Sequence, residues 1–389
     1  MIKILRNTLL FTSVFISLTF SLKSTAQTST SIELKNASLF AGIEVGSKGV
    51  KMSVIEVNTK PKQGPSYQII KDTAINSDFI SFSNSSFNAT VSALSNLYTK
   101  AIQQYEIPSE RIFTAISSGV TAQADKENKT AWVQNLADSF RLKIAEPNRQ
   151  VSLIAVAEEA RLSHLGIVPD SRRYSTFLID IGSGNTKGGY FPYGNTQDFK
   201  LFQLNWGTKS THNAAEKQLE DDKTIQNFSK QLARVLSGAA EKDVVYAVNA
   251  SGAYNMSDYV AISGGIAWSA ATLLYPELQS STVVPVTYED VYKLYNTILN
   301  KYNSLQDASL LKRADNTDAD KAKMIKEIKN VHNVFDQKAL LAGTGLLLKI
   351  MRQFKGVYDG KEFYLVKNGQ VGWISAFVTQ QKNQALLNK

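Results

Sequence analysis

The chain has 389 residues, with 43 Lys and Arg against 34 Asp and Glu, and a formal net charge of +9. It contains no cysteine, which excludes disulfides and thiolate metal sites. No arginine-rich run interleaved with aromatics occurs, so specific nucleic-acid binding has no support; the modest basic excess steers anions toward the surface.

The first 26 residues read as a secretory signal peptide. Lys3 and Arg6 open it, Leu9 to Leu22 is apolar, and Ser24-Thr25-Ala26 places small residues where cleavage occurs. The apolar run is shorter than the roughly 20 residues of a membrane span, which favours cleavage over the alternative, an uncleaved anchor. Cleavage after Ala26 leaves 40 basic and 34 acidic residues. The expected location is periplasmic or secreted, with no membrane association after cleavage. Residues 27–38 are a polar, Ser-rich linker.

Strands are predicted over Leu39–Val45, Val50–Val57 and Tyr67–Ala74, with a loop at Pro61–Pro65. Asn88 is a candidate cap for a helix bearing Val91, Leu94, Leu97, Tyr98, Ile102 and Tyr105 at helical spacing. A strand at Arg111–Ser117, a helix at Trp132–Phe140 and a strand at Val151–Val156 follow. Ala157–Leu162 favours helix and ends near Gly166 and Pro169.

A second unit then opens with three more strands, Ser175–Ile181, Asn185–Phe191 and Phe199–Leu204. Ser210–Lys242 reads as helical, and Tyr259–Ser263 as a buried strand running into Gly264-Gly265 and a helix. Helices at Tyr288–Tyr302 and Ala339–Phe354 flank the charge-dense stretch Leu310–Lys329, and Glu362–Val366 is a last strand. The repeated three-strand opening predicts two mixed α/β units, at residues 39–165 and 166–389.

Within that repeat lie two matching turns, 136 residues apart: Ile43-Glu44-Val45-Gly46-Ser47-Lys48-Gly49-Val50-Lys51 and Ile179-Asp180-Ile181-Gly182-Ser183-Gly184-Asn185-Thr186-Lys187. Each is an apolar strand ending in a carboxylate, a Gly/Ser turn, and a strand carrying Lys. Glycine turns free backbone N–H groups to face an anion, and the neighbouring carboxylate can hold a divalent cation. Candidate phosphate contacts are therefore Gly46, Ser47, Lys48, Lys51, Gly182, Ser183, Gly184, Asn185, Thr186 and Lys187. Glu44 and Asp180 are candidate metal ligands. Gly264 and Gly265 form a third, weaker phosphate approach, or else close helix–strand packing.

Phosphoanhydride hydrolysis needs positioning, charge and a carboxylate to aim water. Glu158 is the candidate base; its neighbour Glu159 points about 100° away on a helix and cannot share that role. His164, His212 and His332 have no metal-ligand spacing and read as structural. No serine-hydrolase elbow or P-loop occurs.

The order of these motifs resembles the exopolyphosphatase and guanosine pentaphosphate phosphohydrolase family, within the acetate/sugar kinase, Hsp70 and actin superfold. Matching stretches are Glu44–Lys48, Ile154–Leu162, Asp180–Lys187, Trp206-Gly207, Gly264-Gly265, Asp336–Ala339 with Ala342-Gly343, and Lys367–Gly372. The resemblance implies two ribonuclease-H-like domains, each a mixed β-sheet flanked by helices, with a cleft between them. It implies Mg²⁺ or another divalent cation, a polyphosphate or nucleotide-polyphosphate substrate, and water activation by Glu158 without a covalent intermediate. A homodimer is compatible with it.

The chain departs from the family's pattern at three points. Glu44 stands for the usual Asp, Lys187 for a Glu that commonly touches metal, and Thr121 for an Arg that reaches the phosphate chain. The family is also normally cytoplasmic. The expected function is an exported phosphoanhydride hydrolase. The alternatives are a catalytically weak or inactive polyphosphate- or nucleotide-binding protein of the same fold, and an ATP-dependent kinase, which export disfavours.

Overall fold

A computed structural model describes residues 39–57, 67–252, 257–306, 310, 318–355 and 360–387. The signal segment, the linker to residue 38 and the Pro61–Pro65 loop lie outside the described residues.

Strands β1 (Leu39–Gly46), β2 (Gly49–Val57) and β3 (Tyr67–Asn76) open the chain as an antiparallel meander. Helix α1 (Asn84–Gln103) follows. It starts earlier than Asn88 because Ser83 caps it: the Ser83 hydroxyl accepts from Ser86 N–H, and Ser86 returns the bond. Strand β4 (Ile112–Ile116), helices α2 (Ser118–Lys126) and α3 (Thr130–Lys143), and the short strand β5 (Val151–Leu153) complete a sheet of order β3-β2-β1-β4-β5. Strands β1, β4 and β5 run parallel. The β3 edge carries Lys71 and Asp72 outward, which discourages further pairing.

Helix α4 (Val156–Ile167) leads into β6 (Thr176–Ile181), β7 (Thr186–Tyr190) and β8 (Lys200–Leu204), again an antiparallel meander. Helices α5 (Thr208–Glu216), α6 (Ile225–Ser237) and α7 (Ala239–Ser251) divide the stretch predicted as helical. Strand β9 (Tyr259–Ser263) and helix α8 (Gly265–Leu274) come next. After β10 (Val283–Val286) come α9 (Tyr288–Asn300), α10 (Asp318–Val334), α11 (Gln337–Lys355), β11 (Glu362–Val366) and α12 (Gly372–Leu387). The second sheet has the order β10-β11-β9-β6-β7-β8, with β6, β9 and β11 parallel. Its β8-β7-β6-β9-β11 portion repeats the order and directions of the first sheet. The repeat seen in the sequence is therefore one of whole sheets, and β10, which contains Pro285, is an added edge.

The two final connections are exchanged. Helix α4 follows the first sheet but packs on the second, where the buried His164 ring meets Phe191 edge-on at 4.9 Å. Helix α12 follows the second sheet but packs on the first: Trp373, Ile374 and Phe377 close a core with Ala115, Ile154 and Leu162. The two helices lie against each other, so closely that a Cβ on Gly166 would fall 2.0 Å from the Gly372 carbonyl oxygen. The boundary expected between residues 165 and 166 thus falls inside α4.

Candidate active site

The seven-residue spacing from Glu44 to Lys51 and from Asp180 to Lys187 has a direct structural meaning. Within each hairpin the carboxylate and the lysine are cross-strand partners, Glu44 opposite Lys51 and Asp180 opposite Lys187. Residues directly opposite share one face of a sheet, so each turn carries a matched acid–base pair. Lys51 is half-buried, whereas Lys187 is 5% exposed.

The N-terminus of α2 brings the two turns together. A Cβ placed on Gly119 would lie 3.4 Å from Ser47 Oγ and 3.7 Å from Asn185 Oδ1. Nothing lies within 4 Å of a Cβ on Gly184, so the second turn faces open space there. The N–H groups of Ser47, Lys48, Ser183 and Gly184 donate to no acceptor among the described residues. The buried hydroxyl of Ser183 likewise has no partner there. Lys48 lies over the Phe335 ring at 5.4 Å, and partial desolvation of its amine together with repulsion from Lys209 lowers its pKa. Lys209, in the first turn of α5, pairs with Asp78 of the opposite half at 3.5 Å.

Helix α4 contributes its second glutamate, not its first. Glu158 is held by Arg161 through two bonds of 2.8 Å and is approached by Gln380 of α12. Glu159 is 2% exposed; its Oε2 accepts from Ser118 N–H at 2.7 Å, and its Oε1 lies 2.9 Å from Lys187 Nζ. The expectation that Glu158 faces the turns is therefore not met. Arg161, one turn on, draws Glu158 sideways, while Glu159 shares its face with the buried Leu162 and Ser163.

Lys187 closes the cluster. Its ammonium also lies 3.7 Å from Asp180 Oδ2, while Asp180 Oδ1 accepts from Ser263 Oγ at 3.0 Å. Burial works against the charge on Lys187, but Glu159 and Asp180 outweigh it and hold the amine above the ordinary lysine range. Burial equally opposes ionisation of Glu159, and Lys187 with the Ser118 N–H overrides it, so its carboxyl stays below the usual range. The pair is thus ionised on both sides. Glu44 behaves differently: burial pushes its carboxyl upward, only partly offset by Lys51, and its Oε2 has no partner among the described residues.

Three further expectations change at this level. Thr186 is fully buried and donates to the Trp206 carbonyl, so its hydroxyl is turned away from any anion. Lys187 is neutralised internally rather than presented as a phosphate clamp. Gly264 (φ 100°) and Gly265 are packing glycines: Cβ atoms there would meet Ile181 O at 2.2 Å and Phe335 at 3.0 Å. Thr121 bonds back to Ser118 O and supplies no charge. Trp206-Gly207 seats α5 on the second turn, whose Gly182 and Ser183 carbonyls accept from Thr208, Lys209 and Ser210 N–H. Sequence reasoning set Glu159 aside and gave no role to Ser118, Gly119, Lys209 or Ser263. Of these, only Glu159 left a local signal, the apolar face it shares on α4.

The donor set does not fit a divalent cation between the two turns. Such an ion needs oxygen ligands with surplus negative charge. Glu159 and Asp180 already surround an ammonium, and Asp180 Oδ1 is occupied by Ser263. A divalent ion about 4 Å from that ammonium meets repulsion of about 8 kcal/mol at an effective dielectric of about 20. Among the described residues no group of three or more His, Cys, Asp or Glu side chains is arranged to hold a metal.

No known family profile and no curated protein matches the chain. Solved structures do. A Ppx/GppA family member from Aquifex aeolicus superposes with a TM-score of 0.60 at 15% identity, covering 89% of this chain and 98% of that one. An exopolyphosphatase-like protein gives 0.60 at 15% identity over 90% and 99% of the two chains. An exopolyphosphatase from Cytophaga hutchinsonii gives 0.54 at 11% identity over 87% and 98%. The chain therefore has the two-sheet fold of the Ppx/GppA structures over about nine tenths of its length, with a buried lysine held by the carboxylates of α4 and the second turn.

Proposed function

We propose that this protein is an exported phosphoanhydride hydrolase that takes inorganic polyphosphate, or a nucleotide polyphosphate such as guanosine pentaphosphate, into the crease between its two glycine turns. One observation carries the reading: Ser47, Asn185 and the N-terminus of α2 converge on the Gly119 position. The two turns that meet there carry the unpartnered N–H groups of Ser47, Lys48, Ser183 and Gly184, and a phosphoryl group needs such preorganised donors. Lys48 and Lys209 supply positive charge at the mouth. In this mechanism α4 aims water through Glu159, which has the orientation that Glu158 lacks. The Ser118 N–H and Lys187 fix the Glu159 carboxylate, leaving its remaining lone pairs to orient water in line with the terminal phosphorus. Export is inferred from the first 26 residues alone.

A second reading, binding without turnover, is favoured by the same Glu159–Lys187 contact of 2.9 Å, because a carboxylate so well paired is a weak base. Orthophosphate release from long-chain polyphosphate separates the two. The hydrolase reading expects release by wild type and Glu158→Gln, and a loss of about 10²–10⁴-fold in Glu159→Gln. If wild type and Glu159→Gln release equally little while both retain the polymer, the protein is a binder.

A further inference from the structure

We propose that the Lys187 ammonium is the resident cation of this site, standing between Glu159 and Asp180 where a divalent ion would otherwise be needed. The proposal depends on the phosphoanhydride reading only for the choice of anionic probe.

Four observations lead to it. Lys187 is the cross-strand partner of Asp180, so the hairpin itself delivers the amine to the carboxylate end of β6. Its Nζ contacts Glu159 at 2.9 Å and Asp180 at 3.7 Å, joining a residue of α4 to a residue of the second turn. Glu44, from the first turn, feels the same charge. Finally, the homologous lysine of the first turn, Lys51, is only half-buried, so burial of the amine is particular to the second turn rather than a habit of the motif.

Taken together, one buried amine ties the α4 carboxylate to that of the second turn, and Glu159 in turn accepts from Ser118 N–H of the first half. The cation that neutralises these carboxylates is here a covalently tethered charge. An ammonium cannot be chelated away, exchanged, or titrated by the ionic composition outside the cytoplasm. It also brings one positive charge where Mg²⁺ brings two. Anion affinity must then come from backbone donors and from Lys48 and Lys209 at the mouth.

Mn²⁺ titration of the purified protein, followed by electron paramagnetic resonance, tests this without reference to activity. Wild type is expected to leave the Mn²⁺ signal free. Lys187→Glu should bind one ion per chain and show a melting temperature that rises with added Mn²⁺ and falls again with EDTA. Calorimetric binding of tripolyphosphate to wild type should be unchanged by EDTA. Should Lys187→Glu fail to fold without metal, refolding with Mn²⁺ provides the same readout, and the wild-type measurements stand by themselves. Stoichiometric Mn²⁺ binding by wild type that is lost in Asp180→Asn overturns the proposal. So does a folded Lys187→Glu that ignores Mn²⁺, or tripolyphosphate binding that EDTA abolishes. If tripolyphosphate binds under neither condition while Mn²⁺ stays free, the phosphoanhydride reading fails and the resident ammonium stands.

Discussion

Acidification from pH 7 to pH 5 is expected to remove about 2 kcal/mol of stability through His164 alone. This ring is fully buried on α4, beside Phe191 and Phe199, with Nε2 bonded to the Thr176 carbonyl at 2.9 Å. Burial pushes its pKa from 6.5 down to about 4. The unfolded chain therefore binds a proton below 6.5 that the native state refuses until about pH 4, and stability falls as pH drops through that window. The full shift corresponds to about 3.4 kcal/mol, of which about 2 is lost by pH 5 and almost none at pH 7. Urea unfolding at both values, for wild type and His164→Gln, isolates the contribution, because all other titrating groups cancel in the double difference. Glutamine retains a donor for Thr176 but cannot titrate. Equal losses in the two proteins between pH 7 and 5 would refute the argument and place His164 in contact with water.

Three other outcomes are expected. Lys187→Met should destabilise the fold by about 3–5 kcal/mol at pH 7 in urea unfolding, since it leaves the buried Glu159 carboxylate, with the partly buried Asp180 beside it, without a cation; a loss below about 1 kcal/mol would show that water reaches the cluster. Gly166→Ala forces a methyl against the Gly372 backbone, and a cost of about 1–3 kcal/mol is expected, with α4 and α12 the first helices to lose amide protection in hydrogen exchange. Lys209→Ala should weaken tripolyphosphate binding about tenfold at low salt, with less effect at high salt and an unchanged melting curve; salt-independent weakening would contradict a charge at the mouth.

Much of the fold is legible locally. Both glycine hairpins, β3, β9 and α11 follow from β-branched runs, turn residues and apolar periodicity, all set by residues a few positions apart. Helices α2 and α12 and strand β10 are harder to read. Helix α2 is a short segment of small and polar residues, and α12 buries its N-terminal half only because the first sheet lies beneath it. The cap of α1 shows the finer limit: Asn88 and Ser83 are both good caps, and the reciprocal Ser83–Ser86 bonds decide between them.

The site divides along the same line. By itself the sequence determines two carboxylate–turn–lysine hairpins, because each is closed by neighbours seven residues apart and strand pairing puts acid and base on one face. Which glutamate of α4 turns inward, and what becomes of Lys187, depend on contacts across 41 residues from Ser118 to Glu159 and 28 from Glu159 to Lys187. No local pattern encodes those distances. The charge of a lysine is evident from its identity. Whether it greets an anion from solvent or is spent inside a ring of carboxylates is decided by packing, since burial makes an unpaired charge intolerable and forces each one to find its partner.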